Sequence, residues 1–214
     1  MPSIQDATPA AKGLDADVVL HRPVLSAAHA AGFRFVVRYV PLGHAADPTD
    51  LTPHEVADIL AAGLAVMPVQ HASFPPVNAA KGTTFGQNAA NHVAAAGFPP
   101  GVNVWLDLEG VSPPTGAADV IAYANAWFDA VAAHGYVPGV YIGDRAGLSG
   151  QQLFEALKFQ HYWKSGSDVP DVAKRGYQMV QTIPGNPSSI GGVSIDTNVT
   201  QTDRLGGNAR WLIA

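Results

Sequence analysis

Two carboxylates stand two residues apart in Val104-Trp105-Leu106-Asp107-Leu108-Glu109, a run of strand-forming residues. Side chains of a strand alternate between faces, so Trp105, Asp107 and Glu109 share one face and Val104, Leu106 and Leu108 share the other. The two acids then lie about 6.6 Å apart along the chain. Acids that close repel, so one tends to keep its proton and can donate it while the other stays ionised. Splitting a glycosidic bond needs that division of labour. An isolated Asp-x-Glu is common, however, and more often ends a strand in solvent or caps a turn.

What shifts the balance is the company it keeps. Polar residues recur where other strands are expected to end: Asp15 on the first, Arg38 and Tyr39 on the second, Gln70 and His71 on the third, Tyr141 on the fifth. Gln178 and Gln181 follow on the seventh, and Asp196 and Asn198 on the eighth. If these ends form one rim, Arg38, Tyr39, Gln70, Tyr141, Gln178, Gln181 and Asn198 are candidate substrate contacts. Carboxylates, amides and aromatic rings together suit sugars, whose hydroxyls take paired hydrogen bonds and whose C–H faces stack on rings.

Other chemistries find less support. The eight histidines form no H-x-H or H-E-x-x-H pair, so no metal site is expected, and His71 alone falls near the expected rim. Gly185 to Gly192 lacks the lysine of a phosphate-binding loop, and no G-x-S-x-G elbow is present. A formal charge of −5 without any basic cluster argues against a nucleic-acid partner.

The elements that must position these groups alternate. Strands are expected at Lys12 to Asp15, Arg34 to Val40, Ala65 to Gln70 and Asn103 to Leu108. Four more follow at Val137 to Ile142, Lys158 to Tyr162, Tyr177 to Gln181 and Val193 to Asn198. Between them, Thr52 to Ala62 opens on a capping-box spacing with Pro53 at the first helical position and stops at Gly63. Thr84 to Ala96 and Gly116 to His134 are Ala-rich and also end at glycines, and Ser149 to Leu157 could form two turns. Residues 165–176 carry little helical signal. Eight strands in βαβα order with a weak second half predict an α/β fold, a (β/α)8-like TIM barrel with reduced helices in its second half. An open doubly wound sheet is the alternative.

With 214 residues, 47% of them apolar and only 14% charged, the chain is expected to be one folded domain over 1–214. It has no cysteine, so neither disulfides nor a Cys-based metal site exist. No stretch approaches the roughly 20 apolar residues of a membrane span, and residues 1–13 show no export signal. A monomer is expected.

Gly13-Leu14-Asp15, Trp105-Leu106-Asp107-Leu108-Glu109, Gly139-Val140-Tyr141 and Ile195-Asp196-Thr197-Asn198 resemble the family 25 lysozymes in order and spacing, across nearly the whole chain. With Arg38-Tyr39 on the second strand, the sequence resembles still more closely a sister family of bacterial glycoside-hydrolase-like domains, the Rv2525c-like type. The resemblance implies a barrel with incomplete later helices, a peptidoglycan-like or related N-acetylated glycan as partner, and no cofactor. It also implies Glu109 as general acid and Asp107 as stabiliser, with Asp15 and Asp196 tuning the centre and holding sugar. A non-catalytic carbohydrate-binding barrel is the alternative. Arg38 departs from this scheme, since a cation there would lower the pKa of a neighbouring carboxylate when a general acid needs it raised.

Overall fold

The computed structural model describes residues 2–182 and 188–214. Its first half alternates strand and helix: β2 (Lys12–Ala16), α1 (Arg22–Ala30), β3 (Phe35–Val40), α2 (Pro53–Ala61), β4 (Ala65–Gln70), α3 (Ala79–Ala95), β5 (Asn103–Leu108) and α4 (Ala117–Ala132), all preceded by β1 (Ser3–Asp6). The second half holds β6 (Val137–Ile142), α5 (Gly150–Glu155), β7 (His161–Lys164), β8 (Met179–Gln181), β9 (Ser188–Ile190), β10 (Val193–Thr200) and β11 (Arg210–Ile213).

β2 to β8 pair in parallel in sequence order, and β10 closes the ring by pairing with both β8 and β2. The result is a closed eight-stranded α/β barrel. Helices pack outside its first half and shrink to α5 in the second, and among the described residues none lies between β7 and β10. One feature departs from a uniformly parallel barrel: β10 runs antiparallel to both neighbours. β1, β9, β11 and α1 were not expected. β1 and β11 form an antiparallel pair joined to β4 through Leu212 and Val66, and α1 begins behind His21 with no capping side chain to announce it.

Local chemistry explains the boundaries. Thr52 caps α2 by accepting from the Glu55 amide at 3.2 Å, as the spacing predicts, but the Glu55 carboxylate turns to Arg38 instead of back to Thr52. α3 starts one turn before the expected Thr84 because Asn78 caps it, accepting from the Lys81 amide at 3.0 Å. Gly82 and Gly86, which weaken the sequence signal of that turn, let α3 lie against α4. A Cβ at either would stand 2.2 Å from the Tyr123 carbonyl oxygen or 2.7 Å from that of Trp127. β7 starts three residues later than expected, since Asn125 captures the Lys158 amide and Phe159 packs on Trp127 and Phe128.

The barrel interior is solid. Phe35, Met67, Trp105, Trp163, Met179 and Trp211 fill it, while a second apolar layer joins the outer strand faces to the helices. Crowding there dictates small residues: a Cβ on Gly13 would lie 2.1 Å from the Phe35 ring, and one on Gly139 2.4 Å from Trp105. With the lower barrel plugged, the inward acids Asp15 and Asp107 stand at the opposite mouth.

Candidate active site

The mouth is built from residues that alternation turns inward. On β5 the inward positions are Asn103, Trp105 and Asp107, and Glu109 stands just past the strand. Register places Tyr141 of β6 beside Asp107 and Gly143 beyond it. Asp15 is the last inward residue of β2 and Tyr39 of β3. Gln181 ends β8. Because β10 is antiparallel, Asp196 and Asn198 reach the mouth by register and not by ending a strand there: Asp196 lies opposite Asp15, and Asn198 one pleat deeper, opposite Gly13 and Gln181.

Hydrogen bonds tie these groups into one network. Asn198 Nδ2 donates to Asp15 Oδ2 at 2.6 Å and Gln181 Nε2 donates to the same oxygen at 3.2 Å. Gln181 Oε1 accepts from the Tyr141 hydroxyl and the Gly166 amide, both at 3.0 Å, and Asn198 Oδ1 accepts from Trp163 Nε1 at 2.9 Å. Burial pushes the Asp15 carboxyl up to about 7 against the pull of Asn198, with repulsion from Asp196 adding to the rise.

Asp107 and Glu109 both have raised proton affinity, whereas the sequence argument expects repulsion to hold the proton on one and leave the other ionised. For Asp107 the first cause is complete burial, with the charges of Glu109 and Asp15 adding to it, and its Oδ1 is buried without a hydrogen-bond partner. Glu109 is raised by partial burial and by Asp144, while Arg145 draws it down. Tyr39 lies in the same field, its hydroxyl pushed up by burial and then by Asp107, Asp15, Tyr141 and Glu109. The Glu109 side chain rests against bare backbone: a Cβ on Gly143 would fall 2.3 Å from both its Cβ and its Oε2.

From this centre an open groove of about 830 Å³ runs past Tyr39, His71 and Phe74 on one side and Arg145 on the other. Tyr39 stacks on His71 with ring centres 4.7 Å apart, and His71 Nε2 pairs with Asp50 Oδ1 at 2.9 Å. Phe74 is 84% exposed at the groove's edge. Volume and openness suit several sugar rings.

Three expected contacts do not join the site. Arg38 faces outward between inward Val37 and Tyr39, and is fully buried under α2. There its guanidinium donates to Glu55 Oε1 at 2.6 Å and to the Ala16 and Thr49 carbonyls. It is a buried structural ion pair and does not depress Asp107 or Glu109. Gln70 also faces outward, donating to the Pro41 and Phe85 carbonyls and accepting from Trp127 Nε1. Gln178 lies at the far end of β8, where it accepts from the Tyr162 amide and donates to the Gln160 carbonyl and to Asp203. In each case nearness to a strand end was counted and the face was not. The residues missed are Phe74, Arg145, Gly143 and Asp17. Phe74 had a signal, an aromatic in Ser73-Phe74-Pro75-Pro76 with no apolar periodicity around it, and Arg145 had another, a charge directly after a barrel strand.

The profile of the Rv2525c-like glycoside hydrolase-like domain matches residues 26–200. The chain belongs to that family. Among solved structures it is similar to the Tat-secreted protein Rv2525c of Mycobacterium tuberculosis (18% identity, TM-score 0.66, 89% of this chain and 95% of that one). It is also similar to a family 25 glycosyl hydrolase of Bacillus anthracis (15%, 0.65, 90% and 89%) and to a bacterial lysozyme of Streptomyces coelicolor (15%, 0.62, 91% and 93%). At these identities the likeness establishes the barrel fold. No curated protein sequence matches significantly. Among the described residues no helix is long and apolar enough to cross a membrane, and no three His, Asp or Glu side chains cluster as metal ligands.

Proposed function

We propose that this domain is a glycoside hydrolase of the lysozyme or muramidase type, acting on peptidoglycan or a related N-acetylated glycan as a single-domain monomer without a cofactor. The observation that carries this reading is the carboxylate pair Asp107 and Glu109 at the mouth of a plugged barrel, opening on a groove edged with aromatic rings. Glu109, raised yet solvent-accessible, donates the proton to the leaving oxygen. The unpartnered Oδ1 of Asp107 is an acceptor for the N–H of an N-acetyl group, which would turn that group toward the anomeric carbon. Asp15 and Asp196 hold the lower wall, Tyr39 and Tyr141 offer ring faces, and Gln181 and Asn198 set the orientation of Asp15. Solved lysozyme-type relatives on the same barrel support the reading; among them is the modular autolysin LytC of Streptococcus pneumoniae in complex with a synthetic peptidoglycan ligand.

One observation favours a carbohydrate-binding barrel without turnover. Burial raises the proton affinity of Asp107, and a carboxyl stabilises developing positive charge less well the more readily it takes up a proton. Incubation with purified peptidoglycan and with chitin oligomers, followed by reading new reducing ends and their masses, separates the two. On an aryl glycoside with a good leaving group, Glu109→Gln should recover activity and Asp107→Asn should not. Equal recovery, or a fully active Glu109→Gln protein, would remove Glu109 as the acid, and only the absence of new reducing ends from either glycan would leave the binding reading standing.

A further inference from the structure

The groove is electrically lopsided. Asp17 follows β2, and Asp47 and Asp50 lie between β3 and α2, so three acids lie along the wall that β2 and β3 support, while Asp107 and Glu109 belong to the end of β5. Arg145 follows β6, which stands opposite β2 in the ring, and it is the one Lys or Arg side chain among the described groove residues. Its backbone holds a left-handed conformation, φ 54°, which costs a residue other than glycine roughly 1–2 kcal/mol. Two bonds between loops lock it there: the Ser112 amide donates to the Arg145 carbonyl at 3.0 Å and the Gly110 amide to the Asp144 carbonyl at 2.8 Å. The loop bearing Glu109 thereby fixes the position of Arg145.

The guanidinium is held but not consumed. A Cβ on Gly110 would lie 3.9 Å from Arg145 Nη2, so the head group spreads over that glycine, next to Glu109. Its one charged contact is Nε to Asp144 Oδ2 at 3.4 Å, between side chains 62% and 67% exposed, a pairing of little strength in water. Arg38, by contrast, spends its donors on Glu55 and two carbonyls. The terminal nitrogens of Arg145 have no hydrogen-bond partner among the described residues. A planar pair of N–H donors is matched by a carboxylate, which binds it through two parallel bonds.

We propose that Arg145 is a specificity-determining residue of the groove, taking a carboxylate substituent of the bound sugar, so that the glycan selected carries ether-linked acid groups as muramic units do. The inference rests on the glycan-binding reading above and adds which residue of the groove selects the acid-bearing sugar. The acid wall sets the orientation: a carboxylate is repelled by Asp17 and Asp47 and drawn to Arg145, while neutral N-acetyl and hydroxyl groups are left for the opposite side.

The test uses binding, so it stands whether or not the domain turns over. In a Glu109→Gln background, affinities for an N-acetylglucosamine–N-acetylmuramic acid disaccharide, for chitobiose and for the glucosamine disaccharide are measured by calorimetry, with and without Arg145→Asn. Asparagine tolerates the left-handed backbone, so the variant removes charge and reach without straining the loop; unchanged thermal unfolding confirms this. The muramic disaccharide should bind more tightly than chitobiose, and Arg145→Asn should weaken it roughly tenfold or more, the worth of a charge-assisted pair. Chitobiose should change less than about twofold. Equal weakening of both, no preference in the parent, or tightest binding of the cationic glucosamine disaccharide overturns the proposal while leaving a glycan site in place. Binding of none of the three overturns the glycan reading and this inference together.

Discussion

Replacing Gly143 by alanine tests whether Glu109 works from the position in which the barrel holds it. The residue follows β6, its amide donates to the Leu108 carbonyl at 3.1 Å, and its φ lies outside the left-handed region, so alanine brings no backbone strain. The added Cβ would stand 2.3 Å from Glu109 Oε2, 2.3 Å from its Cβ and 3.1 Å from its Cδ. Non-bonded carbons settle at about 3.5–4.0 Å, so more than 1 Å must be found. Turning the glutamate side chain relieves only the clash at Oε2. Its Cβ is fixed to the strand, and the backbone at 109 or 143 must move.

Overpacking of this kind costs about 1–3 kcal/mol, a fall in Tm of several degrees for a domain of this size. Misplacing a catalytic group by about 1 Å costs roughly 10²-fold in turnover. Gly143→Ala should therefore lose about two orders of magnitude in kcat on peptidoglycan, with little change in KM, at temperatures where it is fully folded. Gly116→Ala is the control, since a Cβ there meets nothing within 4 Å and should leave turnover unchanged. The carboxyl resonance of Glu109 should shift in Gly143→Ala even in the absence of turnover. A variant with wild-type kcat and an unshifted Glu109 would refute the claim that this contact positions the acid.

Glu109→Gln keeps shape and hydrogen bonding but lacks the proton, so reducing-end release should fall roughly 10²- to 10⁴-fold while calorimetric affinity stays near the parent's. Arg38→Leu strands the Glu55 carboxylate in the core and should cost about 3–5 kcal/mol in chemical denaturation, without altering glycan affinity in the folded fraction. Asp15 binds its proton more tightly folded than unfolded, so stability should fall as pH rises from about 4 to about 7 and then level off. Asp15→Asn should remove one proton's worth of that slope, at most about 1.4 kcal/mol per pH unit, in denaturation curves taken across this range. Phe74→Ala, at an exposed position, should leave Tm alone and weaken long oligosaccharides about two- to tenfold relative to disaccharides, the worth of one stacked ring.

Much of the barrel could be read from the chain because its strands are short β-branched runs and its larger helices stop at glycines. α2 and α4 fall where capping and alanine content place them. α3 was read a turn short, since a helix that packs through Gly82 and Gly86 carries the residues that ordinarily mark a break. The antiparallel sense of β10 had no local signal: a strand's direction is set by how the chain returns to the sheet, and Val193 to Asn198 reads alike either way. β1 and β11 are four residues each, and their value lies in pairing with one another across nearly the full sequence.

The site divides along one physical line. Asp15, Asp107, Tyr39, Tyr141 and Gln181 all occupy inward positions, and for these alternation and strand ends agree, while Asn198 is inward by register alone. Arg38, Gln70 and Gln178 sit one residue out of phase with them, and a one-residue step in a strand moves a side chain to the opposite face. Met67 and Val69 already implied that Gln70 turns outward, and Phe35 and Val37 implied the same for Arg38, because an apolar barrel interior fixes the phase of every strand that lines it. The outer face of a barrel strand lies under helices, where a charge persists only if paired, and Glu55 on α2 supplies that pair. The cation that does reach the groove, Arg145, lies beyond the end of its strand, where alternation no longer applies and loop hydrogen bonds decide direction. Face parity therefore predicts the polar wall of such a mouth down to single residues, and the charges added by its loops must be found from the bonds that hold those loops.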